Sequence, residues 1–192
     1  DWVINGHKWF ISGAKGAKFA ILIARTEDDP EVPQAGNSAF LVDLPAEGWE
    51  IVRDVHTMSG SHNHCEIRIT SLRVPQENLL GGRGNGHKLG QARLGPARLA
   101  HCMRWLGQAE IALDMMVKRS LERFAHGSLL ADKQGIQWMI ADSTMELYQC
   151  KLMVLHAAYK IDRGDDFRSE VSMAKHFVAN SLNRIVDRAI QV

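Results

Sequence analysis

The chain has 192 residues, of which 45% are hydrophobic and 23% charged, with a formal net charge of +1. That composition suits a soluble globular protein and gives no global electrostatic case for binding nucleic acid or a membrane surface. No apolar run approaches the roughly 20 residues needed to span a bilayer. Cys65, Cys102 and Cys150 are widely spaced and form no CxxC pair. They point to a reducing compartment and away from a disulfide framework or a zinc site.

The first thirteen residues, DWVINGHKWFISG, read as a β-hairpin. Trp2-Val3-Ile4 is β-prone, Asn5-Gly6 is a favoured two-residue turn, and Lys8 to Ser12 runs back. Two aromatic residues precede a hydroxyl there, a pattern that can hold a flat aromatic ligand and hydrogen-bond its edge. Short β-like runs follow at Phe19–Thr26, Ser38–Asp43, Trp49–Val55 and Glu66–Val74. The turn residues Asp28-Asp29-Pro30, Pro33 and Ala35-Gly36-Asn37 separate the first two, and Pro45 to Gly48 lies before the third. Strands following strands predict an antiparallel sandwich or barrel.

Gly81 to Gly86 reads as a linker, and the hydrophobic period then becomes helical. The first helix is expected at about Pro96 to Phe124, roughly 40 Å long, with Pro96 in its first turn. A second spans Ile136 to Ile161 and stops before Gly164; a third carries its apolar stripe from Ala174 to Ile185. The expected class is α+β: an antiparallel β-barrel or sandwich over 1–82, then an antiparallel helical bundle over 83–192. Asp1-Trp2 opens inside a strand without Met or a visible leader, and Ile190-Gln191-Val192 ends without a breaker. Both suggest a fragment.

Several residues are candidates for chemistry. Gly82-x-Gly84-x-Gly86 before a helix can cradle phosphate, or simply join sheet to bundle as a flexible link. His62-Asn63-His64, with His56, can be a partial metal site or solvent-facing histidines, and no third ligand is well spaced. Cys102 falls on an apolar stripe, which favours a buried structural thiol. Arg123 at a helix C-terminus either complements the dipole or offers its planar fork to a pyrophosphate. Arg98, one turn into the first helix, is either a surface residue or part of a cleft. No Ser-His-Asp set, P-loop or paired-carboxylate pattern is present.

Six blocks in order resemble the acyl-CoA dehydrogenases. The opening matches W-x-I-N-G-x-K-x-x-I-S/T, and Val74-Pro75-Gln76-Glu77-Asn78-Leu79-Leu80 is similar to V-P-x-E-N-x-L. Gly84-x-Gly86 precedes a helix, and Arg93 to Arg98 with His101-Cys102-Met103-Arg104 is most similar to the subgroup of the tenth and eleventh human members. Glu122-Arg123, Gly127 and Gln134 resemble E-R-x-x-F-G-x-x-L-x-x-x-Q, and Asp187 to Val192 resembles the segment before a Gly-Gly turn.

The resemblance implies FAD-dependent α,β-dehydrogenation of acyl-CoA to trans-2-enoyl-CoA, with an electron-transfer flavoprotein as acceptor and a homodimer or homotetramer. Ser12 then bonds the flavin near N5, and Phe10 stands where the family usually has the covering Trp. Arg123 and Gln134 reach the FAD of a neighbouring subunit, Arg123 at the pyrophosphate, and Gln191 contacts its adenosine part. Arg98 lines the acyl cleft. His126 and His87 replace common Phe residues, and Met58 to Cys65 lacks R-x-S-D-T. A minority of members place the base on the first long helix, where this chain has Ala97, so the base is expected beyond Val192 and the chain alone is expected to be inactive. Rival expectations are an acyl-CoA oxidase or flavin monooxygenase on the same fold, or a non-catalytic scaffold. Localisation is expected to be cytoplasmic in a bacterial source and the mitochondrial matrix in a eukaryotic one.

Overall fold

The computed structural model describes residues 1–27, 36–58, 60 and 63–192. Most of the loop expected around Asp28-Asp29-Pro30, Pro33 and Ala35 lies outside the described residues, as does His62. Two compact units divide the chain, Asp1–Ala92 and Arg93–Val192.

The opening hairpin does not form. Trp2–Ser12 is one eleven-residue strand, β1, paired antiparallel with β5 (His64–Val74) from Trp2↔Val74 to Ser12↔His64. Asn5-Gly6 has turn chemistry, but an eleven-residue partner supplies ladder bonds that a local turn would forfeit. Asn5 instead serves a β-bulge. The register shifts between Ile4 and Gly6, placing Thr70 and Ser71 opposite Asn5 alone. Ser71 has φ 51°, and its N–H donates to Asn5 Oδ1 at 2.8 Å. The bulge also keeps β5 in phase with the core. Cys65, Ile67 and Ile69 face inward, and only an extra residue lets Leu72 and Val74 face inward too.

β2 (Phe19–Arg25), β3 (Asn37–Asp43) and β4 (Trp49–Asp54) form close to the expected runs, and Leu79–Leu80 adds a short β6. The sheets are β1-β5-β4 and β2-β3-β6. Their inner faces share a core of Ile4, Leu22, Phe40, Val42, Cys65, Ile67, Ile69, Leu72 and Val74. Each large buried side chain there contributes about 1.5–3 kcal/mol relative to exposure. β1 and β2 are edge strands, and a cleft of about 680 Å³ opens between them, bridged where Lys8 Nζ donates to Ile23 O at 2.7 Å.

The glycine linker is tied down rather than loose. Gly84 N donates to the buried Ser38 Oγ at 2.9 Å, and a Cβ on Gly86 would stand 2.7 Å from the Ser38 carbonyl carbon. Helix α1 then runs from Gly86 to Glu122, starting ten residues before the expected Pro96. Pro96 lies inside it and can offer no N–H to the Ala92 carbonyl. The division between the units falls at that weakened turn. The helix continues because Leu99, Cys102, Ala109, Leu113 and Met116 bury one stripe against its neighbours.

After α1 comes a small hairpin, β7 (Phe124–Ala125) with β8 (Ser128–Leu129). Then follow α2 (Gln134–Asp162) and α3 (Arg168–Gln191). Gly164, at φ 73°, ends α2 as expected: its N–H donates to Ile161 O and Asp165 N–H to Lys160 O, the paired bonds of a Schellman cap. Two core clusters hold the three helices together, one around Leu99, Cys102, Val154 and Ala174, the other around Met116, Leu147 and Ile185. Glu146 on α2 receives Arg184 at 2.8 Å and Arg188 at 3.1 Å from α3.

Candidate functional site

In the first unit, a second bulge in β1 builds a polar-aromatic ledge. Lys8 pairs with Ile67 and Ile11 with Cys65, so Trp9 and Phe10 together oppose Glu66. Phe10 takes φ 55°, a left-handed backbone uncommon for a bulky residue. The extra residue lets Ile11 return to the core while Trp9 and Phe10 both stay on the outer face, 56% and 49% exposed. Their ring centroids are 4.6 Å apart. Ser12, also exposed, follows on the same ledge.

Directly opposite Ser12 in the register is His64. Ser12 Oγ and His64 Nδ1 are 2.7 Å apart, and the imidazole lies 6.4 Å from the Phe10 ring. Two flat apolar faces beside a held hydroxyl fit a planar heteroaromatic ring with a hydrogen-bonding edge. The Ser12–His64 pairing spans 52 residues and had no local sequence signal. Among the described residues no group of three or more His, Cys, Asp or Glu is placed to hold a metal ion.

Glu66 lies directly opposite the bulge and ties three strands. It accepts from His7 on β1 at 2.8 Å and from Arg53 on β4 at 2.5 Å. The His7 hydrogen bond, then Arg53, holds its carboxyl below the usual carboxylate range.

In the second unit, the residues singled out from sequence divide between two ends of the bundle. The C-terminal end of α1, the start of α2 and the end of α3 come together around Met116, Met139, Ile140, Ile185 and Val192. Arg123, Gln134 and Gln191 all belong to that end, and all three are exposed. Arg98 belongs to the other end, half-buried beside Leu99. From Arg98 to the end of α1 at Glu122 is about 36 Å at 1.5 Å per residue. A single small ligand therefore cannot meet Arg98 and Arg123 of one chain.

Arg123 is held at the base of a tight hairpin. His126 and Gly127, at φ 52° and 82°, are the two left-handed residues of a primed turn, and Leu130 N–H closes onto Arg123 O at 2.9 Å. His126 is thus a turn residue. The Arg123 side chain forms no ion pair among the described residues, whereas Arg184 and Arg188 are both committed to Glu146. Cys102 is buried and donates to Arg98 O at 3.3 Å; burial pushes its thiol up, as for Cys150, so both are structural rather than reactive.

Residues 1–72 match the middle domain of acyl-CoA dehydrogenase and residues 84–192 its C-terminal domain, and the chain belongs to the acyl-CoA dehydrogenase family. It is 43% identical over its whole length to the probable acyl-CoA dehydrogenase FadE2 of Mycobacterium tuberculosis, covering 48% of that protein. It is 35% identical to human acyl-CoA dehydrogenase family member 11, covering 26%. The chain thus spans about half or less of the length of these relatives.

Two solved structures agree in fold. Butyryl-CoA dehydrogenase from Megasphaera elsdenii superposes with a TM-score of 0.86 at 28% identity, over 98% of this chain and 49% of its own. PigA with FAD and proline does so with a TM-score of 0.89 at 25% identity, over 98% and 49%. Among the described residues no helix is long and apolar enough to cross a membrane.

Proposed function

We propose that this chain supplies the flavin ledge and part of the acyl cleft of an FAD-dependent enzyme that desaturates an acyl-CoA thioester to the trans-2-enoyl-CoA. The observation that carries the reading is the bulged ledge of Trp9, Phe10 and Ser12 with His64, set in a chain of this family. FAD, when bound, supplies the hydride acceptor.

The chain's own residues bind and orient. Phe10 covers one face of the flavin ring while Ser12 hydrogen-bonds its edge. Arg123 meets the pyrophosphate with a planar two-pronged donor, Gln134 adds a polar contact, and Gln191 contacts the adenosine part. These three sit together at the end of the bundle away from Arg98, which supports their serving the FAD of a neighbouring subunit in a homodimer or homotetramer. Arg98 orients the acyl chain in the cleft. No carboxylate of this chain is assigned as the base, because Ala97 occupies the helix position that some members use. An electron-transfer flavoprotein takes the electrons. We divide the chain into a β-domain over 1–82 and a helical domain over 83–192.

The test is an anaerobic titration of the full-length protein with acyl-CoAs of graded chain length, following the visible flavin spectrum. Bleaching by one thioester class establishes the half-reaction and the substrate. Bound flavin that no thioester bleaches overturns the acyl-CoA reading.

A further inference from the structure

Ser12 does not stand alone on the ledge. Its Cα is the register partner of His64 at the end of the β1–β5 ladder, and its Oγ lies 2.7 Å from His64 Nδ1. The backbone on both sides is fixed: Gly13 N–H donates to Asn63 O at 2.9 Å and Val55 N–H to His64 O at 2.7 Å. The Phe10 ring, turned outward by the bulge, stands 6.4 Å from the imidazole. The half-buried imidazole and the exposed hydroxyl are therefore a placed pair and not a chance surface contact.

A hydroxyl has one hydrogen and two lone pairs, and neutral imidazole Nδ1 either donates or accepts. When Nδ1 carries the hydrogen, it donates to Ser12 Oγ, and the hydroxyl hydrogen is left to meet an acceptor on the ligand. When Nδ1 is bare, it takes the hydroxyl hydrogen, and Ser12 presents a lone pair to a donor. A flavin ring nitrogen is an acceptor when oxidised and carries a hydrogen when reduced. The two redox states thus ask opposite polarities of Ser12.

We propose that His64 is a positioning residue that sets the direction of the Ser12 hydrogen bond and reverses it as the flavin changes redox state. Reversal passes the Nδ1 proton to solvent and takes one from solvent onto Nε2, while the Ser12 hydroxyl hydrogen rotates from the ligand to Nδ1, with no net change of charge. The proposal rests on the reading of Ser12 as the flavin-edge residue. A lone serine would have to reorient without support in each state; the imidazole stabilises either orientation in turn.

The experiment uses the full-length protein loaded with FAD. Wild type, Ser12→Ala, His64→Phe, His64→Asn and the double variant Ser12→Ala/His64→Phe are compared. The FAD dissociation constant is measured for the oxidised and for the reduced protein, and the reduced-to-oxidised flavin ratio is read against a redox dye beside it. Ser12→Ala and His64→Phe are each expected to weaken FAD binding in both redox states by roughly threefold to tenfold, the worth of one hydrogen bond. The double variant should weaken it no further, and His64→Asn, which keeps a group near Nδ1, should stay within about twofold of wild type. Additive losses, a His64→Phe affinity equal to wild type beside a weakened Ser12→Ala, or a loss confined to one redox state with a matching shift in the ratio overturn the coupling alone. A Ser12→Ala variant with FAD affinity unchanged in both states overturns the flavin-edge reading and the coupling with it.

Discussion

The ledge in the β unit and the far end of the helical bundle present polar groups in opposite ways. On the ledge the hydroxyl is held by a partner 52 residues away in sequence, and the aromatic faces are set by a bulge. At the bundle end Arg123 has no ion pair among the described residues, although nearby arginines of α3 are locked to Glu146. A held group offers orientation, and an uncommitted cation offers affinity. The two regions should therefore fail differently when altered. The ledge should lose tuning of the ring, and the bundle end should lose retention of the cofactor.

The largest effect is expected at Arg123. Removing a charge-assisted donor costs about 1.5–3 kcal/mol. Arg123→Ala in the full-length protein should therefore lower FAD retention by roughly tenfold to a hundredfold, with the fold intact. Flavin occupancy after dilution and gel filtration measures it; full retention would remove Arg123 from the site. Glu146→Gln is the counterpart. It takes the carboxylate from Arg184 and Arg188 and should lower thermal stability by about 1–2 kcal/mol. FAD retention in the fraction that stays folded should not change. Lost retention there would mean that the uncommitted arginine is not what distinguishes this end.

Asn5→Ala sharpens the account of the β unit. It removes the acceptor of the Ser71 N–H at 2.8 Å while leaving β1 paired, and should cost about 1 kcal/mol in chemical denaturation. No measurable loss would mean that the bulge is held by the inward phase of Leu72 and Val74 alone.

Asn5 also shows where sequence reading stopped. Asn-Gly between β-prone residues is a real turn signal, but β1 stays extended because its partner lies 52 (Ser12↔His64) to 72 (Trp2↔Val74) residues away, beyond local patterning. Pro96 misled in the same way: it suits a helix start, yet α1 runs through it on the strength of a stripe buried against other helices. The main strands were legible because β-branched residues and turn chemistry are local, and the C-terminus of α2 because Gly164 caps it by its own conformation. The aromatic-hydroxyl pattern ending at Ser12 and the planar fork of Arg123 are legible in the residues themselves; the flavin roles of Phe10, Ser12 and Arg123, and Gln134 and Gln191 altogether, come through resemblance. That three of them share one bundle end required the fold, and so did the pairing of His64 with Ser12.

The smallest effect expected is a pH dependence at Glu66. Hydrogen bonds from His7 and Arg53 lower its folded-state pKa, so the folded protein holds the carboxylate more readily than the unfolded chain does. The sign follows: this stabilisation is complete above the ordinary carboxylate range and is lost as pH falls through the folded value. Glu66 is half-buried and both its partners are exposed, so solvent and salt screen the contribution. Glu66→Gln should flatten the acid limb of the stability curve and leave the curve near neutral pH only slightly lower. Because Glu66 faces the bulge that carries Trp9 and Phe10, the variant also asks whether the three-strand tie supports the ledge. A ledge that depends on the tie should show a changed flavin spectrum in Glu66→Gln at neutral pH. One held by backbone register alone should show the altered acid limb and no spectral change.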